Sequence, residues 1–511
     1  MTTRRIATAA DVLDAINHLE RHYPVQQWHA GDVDLWPAYR VRLFMNATLA
    51  LLAQAPVPHP ARRLAALAGR GLRALLQVPL AALRDRRMND RPQPGHAAVF
   101  LSDGLSFTRQ QGRWVDRVID PLVLALQQRG QACLKLTPLA AVHVPRLLPS
   151  MLVQPAIDRL KLLARWRPLH DTDLPGFDAL QIEAQLRLGE PNVPSRDWLL
   201  LQARRMHALA AWFAALLRTS GATWAFVNNY YSIEGMAFVV AARRGGLRSA
   251  DLQHGLQGEH HGAYGRWAAV PAVGYTTLPD EFWVWSRDEA DAIDRWRGEC
   301  ACHVPRISGN PWRERWLDDR DPQVAEQIEN ARAMRAPSPA VQVLVSLAWG
   351  LADEETDKIL RAAELAGRGV GWWWRLHPVE AHRAAEFAAR LRRHGLPAEH
   401  VQAVTDAPLF ALIRAADVVV AHSSTVIQEA TLFGVPAVVT SDYGAEIYAA
   451  LVDAGRAVRA TDDAAIAAAV AALPARPPLP RAPAIADMDG LARLLDSLRL
   501  PPAAALRSAT R

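Results

Sequence analysis

Short continuous apolar runs, separated by segments with a helical period, dominate the chain from residue 96 onward. In the last third, 341–347, 371–376, 417–421 and 436–440 read as strands buried on both faces. Between them, 354–366, 379–393 and 425–433 carry the 3.6-residue period of helices. The middle of the chain repeats the theme. Strands are predicted over 97–101, 132–136, 224–227, 248–252, 282–285 and 304–307, helices over 115–129 and 233–244, and a mostly helical stretch from 150 to 218. This alternation predicts an α/β chain with doubly wound parallel sheets. Two sets of strands, divided near Gly309-Asn310-Pro311, predict two Rossmann-like domains facing a cleft. Ligands of such sheets sit at the carboxyl ends of strands, so the residues just after each strand are the ones to read for chemistry.

The flanks follow other patterns. Residues 1–95 predict an N-terminal helical extension anchored by Trp28 and Leu35-Trp36-Pro37. Within it Leu64, Leu67, Leu72, Leu75 and Leu76 fall on one face of an arginine-rich helix that Pro79 interrupts, and 91–95 is a linker. The expected organisation is 1–95, a first Rossmann-like domain over 96–310 with a helical insertion, a second over 311–480, and a tail over 481–511. Proline and alanine make 474–488 and the stretch from Pro501 loose.

Half of the residues are hydrophobic and 22% are charged, the balance of a globular chain. No run of about 18 apolar residues predicts a membrane-spanning helix, and no apolar stretch follows Arg4 and Arg5 as in a secretory leader. Cys133, Cys300 and Cys302 are too few for a disulfide framework or a four-cysteine zinc site, so a reducing, cytoplasmic setting is expected. The net charge of +6 resides in 62–91, where eight arginines face Asp85 and Asp90. The remainder is balanced, which argues against a nucleic-acid-binding protein. Only Lys135, Lys161 and Lys358 are lysines, so 55 of 58 basic residues are arginine, a bias that with abundant alanine reflects GC-rich coding.

Three strand-end segments carry candidate chemistry. In Arg375-Leu376-His377-Pro378 the proline suits the first turn of a helix, leaving backbone N–H groups and His377 to meet a phosphate or sugar oxygen. The alternative is a capping turn. His422-Ser423-Ser424-Thr425 puts three hydroxyls at a helix start, which makes an anion site, although one serine alone caps a helix. Glu429, one turn on, is in reach of ribose hydroxyls. Asp251-Leu252-Gln253-His254-Gly255 runs on to Glu259, His261 and Tyr264 and gathers a carboxylate, an amide and an imidazole. That set suits nucleophilic or acid–base chemistry at a sugar carbon; the alternative is a hydrogen-bonded brace. Tyr230-Tyr231 follows the 224–227 strand, and Asp442-Tyr443-Gly444 is a further, structural strand-end loop. Asp32-Val33-Asp34 and Asp171-Thr172-Asp173 match the D-x-D of metal-dependent transferases but follow no strand. His254, His260 and His261 lack zinc spacing, no phosphate-binding glycine loop occurs, and Trp372-Trp373-Trp374 reads as packing on both sheet faces.

In their order and spacing these motifs resemble a known family. Two Rossmann-like domains around a cleft resemble the GT-B glycosyltransferase fold. The His-Pro and Ser-Ser motifs are similar to those of bacterial transferases that use CMP-activated acidic sugars. The Gln-His-Gly loop, Tyr230-Tyr231 and Ser308-Gly309-Asn310-Pro311 look most like the retaining β-Kdo transferases of bacterial surface polysaccharide synthesis. The resemblance spans roughly residues 96 to 460. It implies transfer of Kdo or a related ulosonic acid from a CMP-sugar to a glycan in lipopolysaccharide O-antigen or capsule synthesis. It assigns the nucleotide to Arg375, His377, Pro378, Ser423, Ser424, Thr425, Glu429 and Asn310, and substrate contacts to Gln253, Tyr230 and Tyr231. A retaining course implies a carboxylate nucleophile, Asp251 with Glu259 as its rival, and a second carboxylate, Glu183, as acceptor base. His254 then pairs with the ulosonate carboxylate or the leaving phosphate. Inverting members use one carboxylate as base and no nucleophile. Neither metal nor cofactor is implied beyond the CMP-Kdo donor, because held hydroxyls and a helix dipole suffice for the leaving phosphate.

The partners expected are the nucleotide sugar and a glycan acceptor, lipid-linked in such syntheses. The segment 62–91 then meets the inner face of the cytoplasmic membrane through arginine and leucine. The rival readings are a transferase using a UDP- or GDP-sugar or CDP-glycerol, a nucleotide-sugar epimerase, and an inactive scaffold of the same fold.

Overall fold

The computed structural model describes residues 6, 8–52, 92–138, 144–335, 341–475, 478–481, 488–498 and 500. The expected basic helix in 62–91 and the tail from Pro501 lie outside the described residues. The chain divides into two compact units between Pro311 and Trp312, and the residues from 488 on return to the first unit.

In the first unit the strands are β1 (His29–Ala30), β2 (Val33–Asp34), β3 (Ala98–Leu101), β4 (Phe107–Gln110), β5 (Arg113–Asp116), β6 (Cys133–Thr137), β7 (Met151–Leu152), β8 (Thr172–Asp173), β9 (Trp224–Val227), β10 (Arg248–Leu252), β11 (Glu281–Val284) and β12 (Val304–Ile307). Seven of them form one parallel sheet in the order β12-β11-β10-β9-β3-β6-β7. The chain moves outward from β3 in one direction and restarts beside it at β9, so the switch point lies between β3 and β9. Every residue of these two central strands is buried. Phe100 lies opposite Phe226 in register, with ring centroids 4.8 Å apart.

The second unit holds β13 (Val341–Ser346), β14 (Val370–Arg375), β15 (Val418–Ala421), β16 (Ala437–Val439) and β17 (Ala457–Arg459). They form a parallel sheet in the order β14-β13-β15-β16-β17, with the switch point between β13 and β15. Trp372 and Trp374 stack 5.8 Å apart over Val343, Val345, Val418 and Val420, while Trp373 is buried on the opposite face, as the alternation of a strand requires. The α/β, Rossmann-like class expected from the alternation is what each unit adopts.

Several boundaries differ from the sequence expectation. The helix expected from 115 begins at Ile119, because Val115 belongs to a hairpin, β4–β5, turned at Gln111 and Gly112 with positive φ at both. Asp116 then starts the helix by accepting from the N–H groups of Val118 and Ile119. The helix expected over 379–393 is a 3₁₀ turn, Pro378–Arg383, followed by Ala384–Arg393. Part of the expected tail is ordered. In the helix Met488–Asp496, Leu491 and Leu495, with Leu498 beyond it, enter the core of the first unit, and Trp224 Nε1 donates to the Leu498 carbonyl at 3.1 Å. Proline-rich flanks hide that i, i+4, i+7 pattern.

The N-terminal helices Ala9–His22 and Trp36–Leu52 are part of the first unit. Glu20 and Arg40, both fully buried, join them. Glu20 accepts from Trp36 Nε1 at 2.7 Å, Arg40 Nε at 2.8 Å and the Ala268 N–H at 2.6 Å. Arg40 donates to the carbonyls of Gly265 and Arg266 and lies 4.2 Å over the Trp267 ring. The two D-x-D segments are structural. Asp32 pairs with Arg244, Asp34 accepts from the Thr276 N–H, and Thr172–Asp173 pairs with β1.

Candidate functional site

Asp251 is the penultimate residue of β10 and is fully buried. Its Oδ1 accepts from the Tyr230 N–H at 3.0 Å and its Oδ2 from the Tyr264 hydroxyl at 2.8 Å. Burial pushes its carboxyl up to about 8, against the opposing pull of the Tyr230, Tyr264 and Gln257 hydrogen bonds. Tyr230 donates to the Ala263 carbonyl. The Tyr231 hydroxyl lies 3.3 Å from His254 Nε2, and their rings stack. His254 is half-buried, and burial holds it below the usual histidine range. His261 is pushed down to about 3 by burial and by His254 and Arg40, so it is neutral at ordinary pH. The structure thus brings Asp251, Tyr230, Tyr231 and His254 together and adds His261 and Tyr264. The N-terminal helix Trp36–Leu52 backs this cluster: Phe44 lies 5.6 Å from the His261 ring, and a Cβ on Gly262 would meet Phe44 at 2.3 Å. Residues 1–95 therefore contribute more than a sequence view of them as a mere extension implies.

At the switch point of the same sheet lies a pocket of about 200 Å³, bordered by Ser102, Asp103, Asn228, Asn229, Ser232 and Glu234. Asp103 accepts from the Leu105 and Ser106 N–H groups, and its own N–H donates to Asn228 Oδ1 at 2.7 Å. Its negative charge is felt by Asp251, His254 and Tyr231. Beneath the loop, Ser102 donates to Asp116 at 2.7 Å, and Lys135 is buried against Asp116 and Asp120. This closed set of charges fixes the Asp103 loop from below.

The remaining first-unit candidates stand elsewhere. Glu183 accepts from Tyr23 at 2.7 Å and pairs with Arg187 and His18, joining Phe177–Leu188 to the N-terminal helix. Burial acts to raise its carboxyl, but Tyr23 and Arg187 hold it below the usual range. An ionised carboxylate occupied in this way is a poor proton acceptor. Glu259 is exposed and paired with Arg295. Gln253 is a brace: it accepts from the Trp285 N–H at 2.6 Å and donates to the Gly255 carbonyl. Asn310 is buried beside Gly309, which has positive φ.

In the second unit the motifs do end strands. His377 follows β14 and caps the 3₁₀ turn, its Nδ1 accepting from the Val379 N–H at 3.3 Å, with Pro378 in the first turn. Arg375 is committed to the carbonyls of Val404 and Ala407. Ser423, Ser424 and Thr425 are half-buried after β15, two strand spacings, about 10 Å, from the end of β14. Ser424 Oγ accepts from the Val426 N–H at a long 3.4 Å, and Ser423 Oγ is 3.1 Å from His422 Nδ1. The His422 carbonyl accepts from Ser441 Oγ at 2.8 Å, an approach that only a glycine at 444 permits, since a Cβ there would sit 2.1 Å from it. Glu429 is buried facing Tyr448. Lys358 reaches this edge from the helix Asp353–Ala366, donating to the Thr440 carbonyl at 2.9 Å and to Glu355, which lies 3.8 Å from His422. A hollow of about 500 Å³ opens beside the ends of β13 and β14 over Leu347, Leu376 and Phe387. Among its charges Arg390 is paired with Asp353 and Asp357 and Arg383 with Glu380 and Glu386, and of the two motifs only Leu376 lines it.

Sequence reasoning missed Asp103, Asn228 and Lys358. Asp103 and Asn228 do follow strands, but their pairing depends on β3 lying beside β9. Lys358 had a composition signal: a chain that uses arginine almost throughout keeps three lysines, and each proves to hold a carboxylate. Among the described residues, no group of three His, Cys, Asp or Glu is placed to hold a metal ion, and no helix is long and apolar enough to cross a membrane.

No family model and no curated protein matches the chain. Among solved structures it is similar to the UDP-GlcNAc 2-epimerase of Methanocaldococcus jannaschii in complex with UDP-GlcNAc and UDP, at 13% identity over 78% of this chain and 99% of that one, with a TM-score of 0.46. The UDP-GlcNAc 2-epimerase of Neisseria meningitidis bound to UDP-GlcNAc matches at 11% identity over 78% and 98%, with a TM-score of 0.44. The wall teichoic acid polymerase TagF, as its H548A variant, matches at 13% identity over 88% and 95%, with a TM-score of 0.41. At these scores the likeness adds nothing to what the two parallel sheets say of the fold.

Proposed function

We propose that the chain is a glycosyltransferase that moves Kdo or a related ulosonic acid from CMP to a glycan acceptor. The observation that carries this reading is the strand-end cluster of the second unit. Three hydroxyls, Ser423, Ser424 and Thr425, stand at a helix start beside the switch point, with the Lys358 ammonium on the same edge. Donor hydroxyls at a helix start and a nearby cation suit a phosphate monoester carrying one sugar. In this proposal Ser423, Ser424 and Thr425 hold the CMP phosphate, and Asp251 and Asp103 are the reacting carboxylates.

The course is a double displacement. As the cage opens Asp251 gives its proton to water, its carboxylate attacks the anomeric carbon, the bond to the CMP phosphate oxygen breaks, and CMP leaves with the electron pair. An acceptor hydroxyl bound in the β3–β9 pocket then attacks the same carbon, gives its proton to Asp103 and frees Asp251. Asp103 takes the role that the sequence assigned to Glu183, whose carboxylate is occupied by Tyr23 and Arg187. Asp251 is enclosed by Tyr230 and Tyr264, so the loop 255–265 has to lift with Tyr264 as the donor enters.

Incubation with CMP-Kdo and a panel of soluble and lipid-linked glycans tests the reading. CMP release and an acceptor heavier by one ulosonic residue are expected, read by mass spectrometry. Asp103→Asn should slow acceptor-dependent turnover by about 10²- to 10⁴-fold and spare CMP binding. Interconversion of a UDP-sugar with no acceptor present would make the protein an epimerase instead.

A further inference from the structure

The helix Gln154–Leu163 and the 3₁₀ turn Ala164–Trp166 present two apolar stripes. Ile157 and Ala164 face inward and are buried. Leu162, Leu163 and Trp166 face solvent and are 54%, 47% and 68% exposed, with Arg159 one turn before them at the same i, i+3, i+4, i+7 spacing. Three large apolar side chains on one outward stripe are unlike the scattered exposure of an ordinary surface. Cations surround them. Arg159, Arg165 and Arg167 are exposed, and none has an acidic partner among the described residues. The Arg165 guanidinium lies 5.2 Å over the Trp166 ring. Lys161 is occupied by Glu234, and Asp158 is the one acid between 154 and 170.

We propose that this face docks on an anionic lipid bilayer. A short helix lying in the interface, with leucine and tryptophan below and arginine at headgroup level, is the chemistry such a surface takes. Position favours this occupant as well. The same helix lines the β3–β9 pocket with Gln154 and Ile157, and its Lys161 holds Glu234 of that pocket. From Ile157 to Leu163 is about 9 Å along the helix. An acceptor glycan on a membrane lipid would therefore enter beside the bilayer surface, an inference that rests on the pocket taking the acceptor. The docking face is distinct from the segment 62–91.

Flotation of the full chain with phosphatidylglycerol-containing vesicles and with pure phosphatidylcholine vesicles tests this, beside the combined variant Leu162→Ser, Leu163→Ser, Trp166→Ser and the combined variant Arg159→Ser, Arg165→Ser, Arg167→Ser. Wild type should float with the anionic vesicles, more weakly as salt rises. The apolar variant should bind at least about tenfold more weakly, and the arginine variant should lose the preference for anionic lipid. Unchanged thermal melting of both variants establishes that they fold. Wild type that ignores anionic vesicles, or variants that float as wild type does, would overturn the proposal. CMP titration of the same variants separates the two ideas. Lost flotation with normal CMP affinity supports docking, whereas a wild type that floats but binds no CMP leaves docking standing and removes the donor assignment.

Discussion

Asp251→Asn is expected to abolish sugar transfer, by more than about 10³-fold, while leaving nucleotide affinity within a few-fold of wild type. Asparagine keeps an acceptor for the Tyr230 N–H but has no charge with which to attack carbon. The amide can donate to the Tyr264 oxygen where the carboxylate accepted from it, so the enclosure survives. The same residue leaves a signature in stability. Its carboxyl is pushed up to about 8 in the folded chain, so the folded state binds this proton more tightly than the unfolded state does. The stabilisation is complete below the ordinary carboxyl range, near pH 4, and is lost as pH rises through about 8. Wild type should therefore lose melting temperature between about pH 4 and pH 8, and Asp251→Asn should lack that component of the slope. Activity within about tenfold of wild type would remove Asp251 from the chemistry.

The largest loss of stability is expected from Glu20→Ala, which leaves the Arg40 cation fully buried with no counter-ion. Breaking such a pair by deleting one partner costs about 3–5 kcal/mol, which is roughly a 10 °C fall in melting temperature for a unit of this size. The pairing holds Trp36 on one side and Gly265, Arg266 and Ala268 on the other, and that loop carries Tyr264 and His261 toward Asp251. Activity should therefore fall along with stability. Glu20→Leu combined with Arg40→Met should recover much of the stability, because an apolar pair leaves no stranded charge. A shift below about 2 °C for Glu20→Ala would mean that the N-terminal helices do not brace the loop.

The central strands were legible because those such as β3, β9 and β15 are buried on both faces and read as one apolar run. β9, β10 and β12 begin and end where the sequence places them, although β12 is only partly buried. The switch points were not legible, since they depend on strand order, and no local pattern says that β3 lies beside β9. That is why Asp103 escaped notice although Ser102-Asp103-Gly104 directly follows a strand. Local spacing also cannot reveal that a residue is already occupied. Glu183 meets Tyr23 across 160 positions, and Arg375 meets Val404 and Ala407 about 30 positions on. The histidine loop was legible as a cluster but not as an enclosed one. The packing of Phe44 on Gly262 and the hydroxyl of Tyr264 on Asp251 turn an open catalytic kit into a closed cage.

Calorimetric titration with CMP, UDP, GDP and CDP, on wild type and on His377→Ala and Ser423→Ala, tests the central claim most directly. The account predicts selective binding of CMP, weakened about tenfold or more in Ser423→Ala and lost or reduced in His377→Ala, with melting temperatures unchanged. Preference for UDP or GDP, or CMP binding indifferent to both substitutions, would contradict it.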